Sequence, residues 1–481
     1  MKYFIFISLF LLHACSDGGG TGGGSGLVDD TTFSGSAAGE PVSLTRITSL
    51  TSGAIDSKLS AASSALAGAA QVGVNIYKLS YVSNDGNQGS DTFNSSGLLI
   101  VPYNVADSSP WLVLSHGTIV DNASAPTNNL GEGLLEASLG FITLVPDYIG
   151  FGDSYSSDPS TRIHPYVISA SYASDGVNML KAAKSVLDSE MGITPGRLYL
   201  KGYSEGGYAT LALQKELETN HSTEFPVTAS APSAGPYSTV GLGALLTTSF
   251  ADTTISPTLF GYLATSYYYN YPAVSTQYDI SSVFNQTESY DEETLFNGQK
   301  SSTETEAIYA GLGISTINGL LDSSVVASMG TQLGAVYAGS LMISGEGADG
   351  GVSFGTAVAS LTDSFSGSLL ANDLLMQSFL AQAPNQYFPR VTTIFYHCSD
   401  DNTIYPDGTT GAVGTYAGLE AAYGVTDSSI SSVTTGTGGH GGCPYRFTPA
   451  LCFAGIEASG GSKAAHDAGV AAGAIATDYC N

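Results

Sequence analysis

The sequence predicts an α/β fold, with a mostly parallel sheet flanked by helices. Two short, continuous apolar runs, Trp111–Ser115 and residues 141–145, are typical of strands buried on both faces of a parallel sheet. Segments of helical character alternate with these and later strands, which is the chain order of a parallel sheet with crossover helices. Hydrophobic residues make up 43% of the 481 residues. That content supports a large core and excludes wholesale disorder.

Charge excludes two classes of partner. The chain has 42 acidic and 14 basic residues, which gives a formal net charge of −28. Clustered Lys and Arg grip a phosphate backbone, so we expect no nucleic-acid partner. Polybasic attachment to anionic lipid is excluded for the same reason. Only 12% of residues are charged, so Gly, Ser, Thr and Ala supply much of the surface, as in secreted or surface proteins.

The N-terminus predicts export. Residues 1–14 have the features of a signal peptide, because Lys2 precedes an apolar run at residues 3–12. The run ends in Leu12-His-Ala-Cys15, which resembles a bacterial lipobox and makes Cys15 a candidate lipid anchor. Residues 15–39 are predicted to be a flexible Gly/Ser tether. We therefore expect a bacterial lipoprotein on the outer membrane or cell surface, with a secreted protein as the alternative. Membrane contact is expected only through the anchor.

The first part of the predicted catalytic core covers residues 40–234. Residues 40–70 have loosely helical apolar spacing, and residues 72–81 and 95–101 alternate as strands around a turn. Further along the chain we predict helices at 128–138, 167–189 and 208–217, and strands at 197–201 and 225–230.

The strand–helix rhythm stops at Gly235. Residues 235–389 are rich in Gly, Ser and Ala and contain several modest helical stretches. A strand returns at residues 390–396, so the second part of the core is predicted at 390–481. Residues 235–389 are interpreted as an insertion that folds over the sheet.

A candidate nucleophile lies in Gly202-Tyr-Ser-Glu-Gly-Gly207, which matches G-x-S-x-G. A second match at residues 351–355 places Ser353 among Gly and Ser with no strand before it. Ser204, in contrast, follows a predicted strand and precedes a predicted helix. That strand–turn–helix context is what a nucleophile elbow requires. The sequence therefore favours Ser204 as the nucleophile.

A serine nucleophile needs a base, and the chain has seven histidines. In hydrolases that carry this elbow, the acid and then the histidine follow the serine along the chain. That order leaves His440 and His466. His440 lies in a Gly-rich loop that can bring its imidazole to Ser204, so it is favoured over His466 in an Ala/Gly-rich, solvated helical tail. The other five are His13 in the signal peptide, His116 and His164 before Ser204, His221 just after the nucleophile helix, and His397 in the predicted acid loop.

The acid is expected just after the strand that ends near Tyr396. Two adjacent candidates are present, Asp400 and Asp401, and spacing favours Asp401 while Asp400 stays open. For the oxyanion hole, one backbone N–H is expected from Glu205, directly after the nucleophile. The second is expected from Thr118, in the loop after a core strand.

Four cysteines besides Cys15 are too scattered for a zinc site, so we expect no metal and no cofactor. Two disulfides suit an oxidising compartment. Of the three pairings, we favour Cys398–Cys443 with Cys452–Cys480, since the first joins the acid loop to the base loop.

Taken together, the chain resembles the α/β-hydrolase superfamily and, within it, secretory lipase A-type lipases and esterases of bacteria. The resemblance covers roughly residues 72–235 and 390–457. In that family the segment between the sixth and seventh strands forms a cap, which corresponds to 235–389 here. The family implies Ser204 as nucleophile, Asp401 as acid and His440 as base. The segments that carry it are 96–102, Ser115-His-Gly-Thr118, 145–152 with 164–166, and 202–207.

The sequence therefore predicts a serine hydrolase that cleaves carboxylic esters through an acyl-enzyme, with a small-molecule or lipid ester as substrate. Alternatives are a serine peptidase of the prolyl-oligopeptidase kind and an esterase acting on plant polysaccharide or a polyester. A catalytically dead surface binding protein on the same fold is the alternative from another class.

Overall fold

The computed structural model describes residues 32–37, 40–87, 92–158, 163–245, 256–285, 292–343, 354–375, 387–401, 403, 413, 430–443, 446–475 and 477–481. The predicted signal peptide, Cys15, the Gly/Ser-rich residues 16–26 and Ser353 lie outside the described residues.

A ten-stranded sheet, in the order β1-β2-β3-β4-β6-β5-β7-β8-β9-β10, forms the centre of the described structure. Pairs from β1 to β4 and between β4 and β6 are antiparallel, whereas every pair from β6 across to β10 is parallel. The strands are β1 Thr32–Ala37, β2 Glu40–Leu50, β3 Val74–Ser83, β4 Phe93–Pro102, β5 Trp111–Ser115, β6 Ile142–Pro146, β7 Leu198–Tyr203, β8 Val227–Ser233, β9 Thr392–His397 and β10 Ile430–Thr434.

Helices cover both faces of this sheet and fill the segment between β8 and β9. They are α1 Ser52–Ala62, α2 Leu134–Ser138, α3 Ser169–Met191, α4 Glu205–Asn220, α5 Thr239–Leu245, α6 Pro257–Asn270, α7 Pro272–Gln277, α8 Ile280–Val283, α9 Glu292–Leu295, α10 Ser302–Gly311, α11 Ile317–Leu320, α12 Ser323–Ile343, α13 Phe354–Ala359, α14 Ser364–Asn372, α15 Gly439–Gly442, α16 Thr448–Ala458 and α17 Lys463–Ala471.

Successive strand residues divide between two cores, because side chains alternate across a pleated sheet. In β5, Leu112 joins a cluster with Ile55 of α1 and Phe453 of α16. Its neighbour Val113 joins a cluster with Leu180 of α3 on the opposite face. Both faces are therefore buried, which explains the continuous apolar runs of the parallel strands and agrees with the predicted α/β class.

Three local predictions need correction. Residues 40–50 are not helical: Val42 and Leu44 are buried with period two, in a strand that pairs with both β1 and β3. Strand β1 lies inside the range predicted as a tether, because its backbone pairs with β2 in an antiparallel ladder. The helix predicted at 128–138 is limited to α2, which begins after Gly133 in a left-handed conformation (φ 81°).

The helices from α5 to α14 lie between β8 and β9, which are the sixth and seventh strands when β3 counts as the first. Their core is largely aromatic and aliphatic and continues into α3 and α4. It encloses an apolar cavity whose lining includes Phe260, Leu263, Val325, Met329, Phe365 and Leu369. Across the described ranges, we find no helix with both the length and the apolar character needed to span a bilayer.

Candidate active site

A sharp turn between β7 and α4 presents Ser204. The strand ends at Tyr203 and the helix begins at Glu205, so Ser204 alone makes the turn. Its backbone adopts φ 57° and ψ −126°, a conformation that non-glycine residues rarely take. This strained strand–turn–helix junction is the geometry of a nucleophile elbow, which exposes the hydroxyl at the edge of the sheet.

Glycines on both sides of Ser204 permit this turn to pack closely. A Cβ on Gly202 would lie 2.2 Å from the carbonyl oxygen of Gly206. A Cβ on Gly206 would lie 2.0 Å from the carbonyl oxygen of Ser115, at the end of the adjacent strand. Any side chain at these two positions would push the elbow away from the sheet.

His440 connects the serine to a carboxylate. Its Nε2 lies 2.8 Å from Ser204 Oγ, and its Nδ1 lies 2.8 Å from Asp401 Oδ2. An ionised carboxylate can only accept, so Nδ1–H donates to Asp401 and the lone pair of Nε2 faces the hydroxyl. The arrangement lets His440 take a proton from Ser204 while Asp401 fixes its tautomer.

Asp401 follows β9 and is fully buried, with 0% of its side chain exposed. Burial alone would oppose its ionisation, but hydrogen bonds from His397 and His440, and from the N–H of Thr403, hold the pKa of this carboxyl well below its ordinary value. The carboxylate is therefore ionised at neutral pH and can accept a hydrogen bond from Nδ1–H of His440.

Asp400, the open alternative for the acid, has a different partner. Both of its carboxylate oxygens accept from the N–H of Gly438, and Oδ1 also accepts from the N–H of Gly439, at 3.0 Å each. These glycines lead into the short helix that carries His440. Asp400 thus organises the backbone of the base loop, whereas Asp401 contacts the imidazole.

Sequence reasoning assigned no role to His397, the last residue of β9. Its Nε2 lies 3.2 Å from Asp401 Oδ2, the same oxygen that His440 contacts, and its side chain is 4% exposed. Its signal was the i,i+4 spacing to Asp401 at the end of a buried strand. One carboxylate oxygen of Asp401 is therefore in contact with two imidazoles, those of His397 and His440.

Two disulfides support this region. Cys398 is bonded to Cys443, and Cys452 is bonded to Cys480, which is the pairing that the sequence analysis favoured. The first joins the segment that carries Asp401 to the end of the loop that carries His440. It holds acid and base on two loops whose backbones also exchange hydrogen bonds, such as Ser399 N–H to Gly436 O at 3.0 Å.

The two residues expected to form an oxyanion hole follow two adjacent strands of the sheet, β5 and β7. Ser115 of β5 pairs with Gly202 of β7, so the loop that contains Thr118 and the elbow leave the same edge of the sheet. Glu205 is the first residue of α4, and its N–H has no acceptor within the helix. The Thr118 hydroxyl lies 3.0 Å from the hydroxyl of Tyr166.

The alternative base, His466, is not solvated as predicted. It lies on α17 with 2% exposure, and Asp478 Oδ1 is 3.7 Å from its Nε2. Within the described ranges, His466, Asp478 and Cys480 form the one group of three potential metal ligands. The sulfur of Cys480 is bonded to Cys452, so it is not a thiolate ligand.

Comparisons with solved structures identify the fold. The rice cell wall degrading esterase LipA from Xanthomonas oryzae superposes with a TM-score of 0.62 and 22% identity, covering 86% of this chain and 96% of its own. A Legionella pneumophila protein assigned as a hydrolase gives a TM-score of 0.62 and 16% identity, covering 82% and 92%. Candida antarctica lipase A is more distant, at a TM-score of 0.48 and 13% identity, covering 85% and 80%.

No protein-family model matches the chain, and no curated protein matches it either. The structural likeness, together with the sheet topology, confirms the predicted α/β-hydrolase fold. In its structure the chain resembles an esterase that has this fold.

Proposed function

We propose that this protein is a serine hydrolase that cleaves carboxylic esters. The observation that carries the proposal is the hydrogen-bonded chain from Ser204 Oγ through His440 to Asp401, set at a strained elbow. An α/β-hydrolase fold hosts many functions, so the argument rests on these three side chains rather than on the fold.

In this proposal Ser204 Oγ attacks the ester carbonyl while His440 Nε2 takes its proton. The N–H groups of Glu205 and Thr118 stabilise the oxyanion of the tetrahedral intermediate. His440 then returns the proton to the leaving alcohol, and the acyl group remains on Ser204. Water, activated by the same imidazole, attacks the acyl-enzyme and releases the acid.

The helical segment from α5 to α14 favours a substrate with an apolar acyl or aryl group. We interpret it as a cap, corresponding to the insertion expected at 235–389. Its described core is apolar and contains the cavity lined by Phe260 and Met329, among others. A net charge of −28 also disfavours anionic substrates, since they would approach a negatively charged surface.

The proposal has two forms, which differ in the kind of ester that is cleaved. In the first form the protein is a lipase, which would prefer long acyl chains. An esterase acting on plant polysaccharide is the second form, favoured by the likeness to a structure named as a rice cell wall degrading esterase. The serine peptidase and the dead binding protein remain as outcomes of the test below.

Export through an N-terminal signal and anchoring at Cys15 are also part of the proposal. The two disulfides support an oxidising compartment, since cytosolic thiols are kept reduced.

Initial rates of the protein without residues 1–14 on p-nitrophenyl esters from acetyl to palmitoyl test the proposal, beside Ser204→Ala. A rate that rises towards long chains and is lost in the variant supports a lipase, and a preference for short chains supports an esterase. Equal, slow rates for both proteins on every ester would contradict ester hydrolysis and direct attention to peptides or to binding.

A further inference from the structure

Behind the elbow lies a second histidine–carboxylate pair that the proposed mechanism does not use. His164 Nε2 is 2.9 Å from Glu205 Oε1, and the two side chains are 2% and 1% exposed. Glu205 directly follows the nucleophile, and its own N–H is the proposed oxyanion donor. We call His164 and Glu205 the sealed pair, and His440 and Asp401 the open pair.

The hydrogen bonds of His164 and Glu205 determine the net charge of the sealed pair. His164 Nδ1 lies 2.6 Å from the carbonyl oxygen of Ile149, which can only accept, so Nδ1 carries a hydrogen. A neutral imidazole would then direct the lone pair of Nε2 at a carboxylate oxygen. The 2.9 Å contact requires one more hydrogen between Nε2 and Oε1. Whether it resides on nitrogen or oxygen, the net charge of the pair is zero.

The hydroxyl of Tyr172 is consistent with this assignment of hydrogens. The hydroxyl of Tyr172 accepts from the N–H of Val167 at 3.0 Å and donates to Glu205 Oε1 at 2.8 Å. Glu205 Oε2 is buried and has no hydrogen-bond partner among the residues that the structure describes. The carboxyl group therefore depends on His164 and Tyr172, and His164 supplies the contact that balances charge.

Aromatic rings enclose His164. Ring centroids of Tyr148, Phe151, Tyr172 and Tyr262 lie 5.0 to 5.9 Å from the imidazole centroid. In this apolar surrounding a carboxylate without its partner would be an uncompensated buried charge, which costs far more than a broken neutral hydrogen bond.

We propose that His164 is a positioning residue that neutralises Glu205 and so preserves the oxyanion hole for a negatively charged intermediate. The carboxylate of Glu205 and the N–H that must stabilise the oxyanion belong to the same residue. Without its partner, the negative carboxylate would therefore repel the nearby negative oxyanion. This inference rests on the proposed function. The same segment also reaches the other donor residue, because Tyr166 contacts the Thr118 hydroxyl.

Four proteins test the inference: wild type, His164→Asn, Glu205→Gln and the double variant, assayed on a p-nitrophenyl ester. The asparagine of His164→Asn retains an amide N–H but does not extend to the position of Nε2, so the Glu205 charge loses its partner. We expect kcat to fall on the order of tenfold to a hundredfold with little change in KM. Glu205→Gln alone measures the cost of changing that side chain, and the double variant is expected to reach its level.

The rescue separates charge compensation from packing. A double variant about tenfold faster than His164→Asn supports the inference, since the glutamine of Glu205→Gln has no charge to balance. A double variant as slow as His164→Asn, or slower, would overturn it and leave His164 a packing role only. If His164→Asn alone does not fold but the double variant with Glu205→Gln does, this result also supports the inference.

Denaturant unfolding of the same four proteins needs no substrate. The midpoint is expected to fall in His164→Asn and to recover in the double variant. If wild type shows no Ser204-dependent hydrolysis, the proposed function and the catalytic half of this inference both fail. The unfolding midpoints still decide whether His164 neutralises Glu205, and midpoints that do not recover would refute it.

Discussion

The open pair and the sealed pair are built from the same two kinds of group and occupy very different surroundings. Their carboxylates are equally buried, at 0% exposure for Asp401 and 1% for Glu205. The imidazoles differ: His440 is 15% exposed and its second nitrogen faces Ser204 Oγ, whereas the second nitrogen of His164 donates to a backbone carbonyl. The third partner therefore decides whether the pair can exchange a proton.

Chain position explains this difference. His440 lies on a loop after β10, at the carboxyl edge of the parallel strands, where ligand sites of open α/β sheets form. His164 lies among aromatic rings contributed by the core and by α6. In the proposed mechanism the open pair acts on the substrate, whereas the sealed pair is proposed to keep the charge of Glu205 balanced.

Removing the imidazole of the open pair is expected to have the largest effect. His440→Ala deletes the base, so kcat should fall about 10⁵-fold while the unfolding midpoint changes little. Ester kinetics and denaturant unfolding measure the two quantities. His221→Ala is the matched control, since that ring lies beside Glu216 and Glu224 on the surface, and it should leave kcat unchanged. Equal losses in both variants would contradict the role of His440.

The two adjacent aspartates provide the next contrast. Asp401→Asn should lower kcat about 10⁴-fold, because the amide cannot hold the required tautomer of His440. Asp400→Asn keeps one acceptor for the N–H groups of Gly438 and Gly439, so we expect a loss of about tenfold or less. Initial rates of both variants at saturating substrate measure this, and a reversed order would assign the acid to Asp400.

His397 is expected to act only through Asp401. His397→Asn removes one charge-assisted hydrogen bond to the carboxylate, because the shorter amide does not extend to the position of Nε2, and kcat should fall about tenfold with KM unchanged. Because the effect passes through Asp401, adding His397→Asn to Asp401→Asn should cost nothing further. Losses that multiply in the double variant would show that His397 acts on the reaction by another route.

The smallest expected effect is on stability in acid. The pKa of Asp401 is depressed in the folded protein, so its ionised form contributes stability above the ordinary pKa near 4, and this contribution is lost as the pH falls towards the lower folded value. Between pH 5 and 3 the free energy of unfolding should therefore fall more steeply in wild type than in Asp401→Asn. Urea unfolding across this range measures the slopes.

Asp175 is the control of opposite sign. Burial raises the pKa of this carboxyl to about 6, although Ser95 and Tyr81 donate to it. At this carboxyl the folded state then binds more proton than the unfolded chain between pH 4 and 6, so the contribution of Asp175 to stability falls as pH rises through this window. Asp175→Asn should flatten that slope. If the free energy of unfolding depends on pH between 4 and 6 in the same way in wild type and in Asp175→Asn, burial does not raise the pKa of Asp175.

Local sequence was sufficient to predict the sharp turn at Ser204, because the strand, turn and helix are contiguous along the chain. His440 was favoured as the base because few histidines follow Ser204, and its catalytic role stays a prediction. Spacing favoured Asp401 as the acid but did not exclude Asp400. Adjacent side chains point in different directions, and their partners, His440 and Gly438, come from a loop about 40 residues away.

The contact between His164 and Glu205 could not be predicted from the sequence. Glu205 and His164 are 41 residues apart, and no spacing rule brings them together. The error at residues 40–50 has another cause: Ile47 and Leu50 imitate helical spacing, yet a bulge between Arg46 and Thr48 shifts the strand register there. Pairing with β1 and β3 determined the structure of this segment, not its own periodicity.

Covalent labelling with a fluorophosphonate, which reacts with activated serines, tests the role of Ser204 most directly. We expect one adduct, located by mass spectrometry on the peptide that contains Ser204. It should be absent in Ser204→Ala and formed far more slowly in His440→Ala. Failure to label the folded wild type, or labelling that persists in Ser204→Ala, would contradict the claim that Ser204 is a nucleophile activated by the open pair.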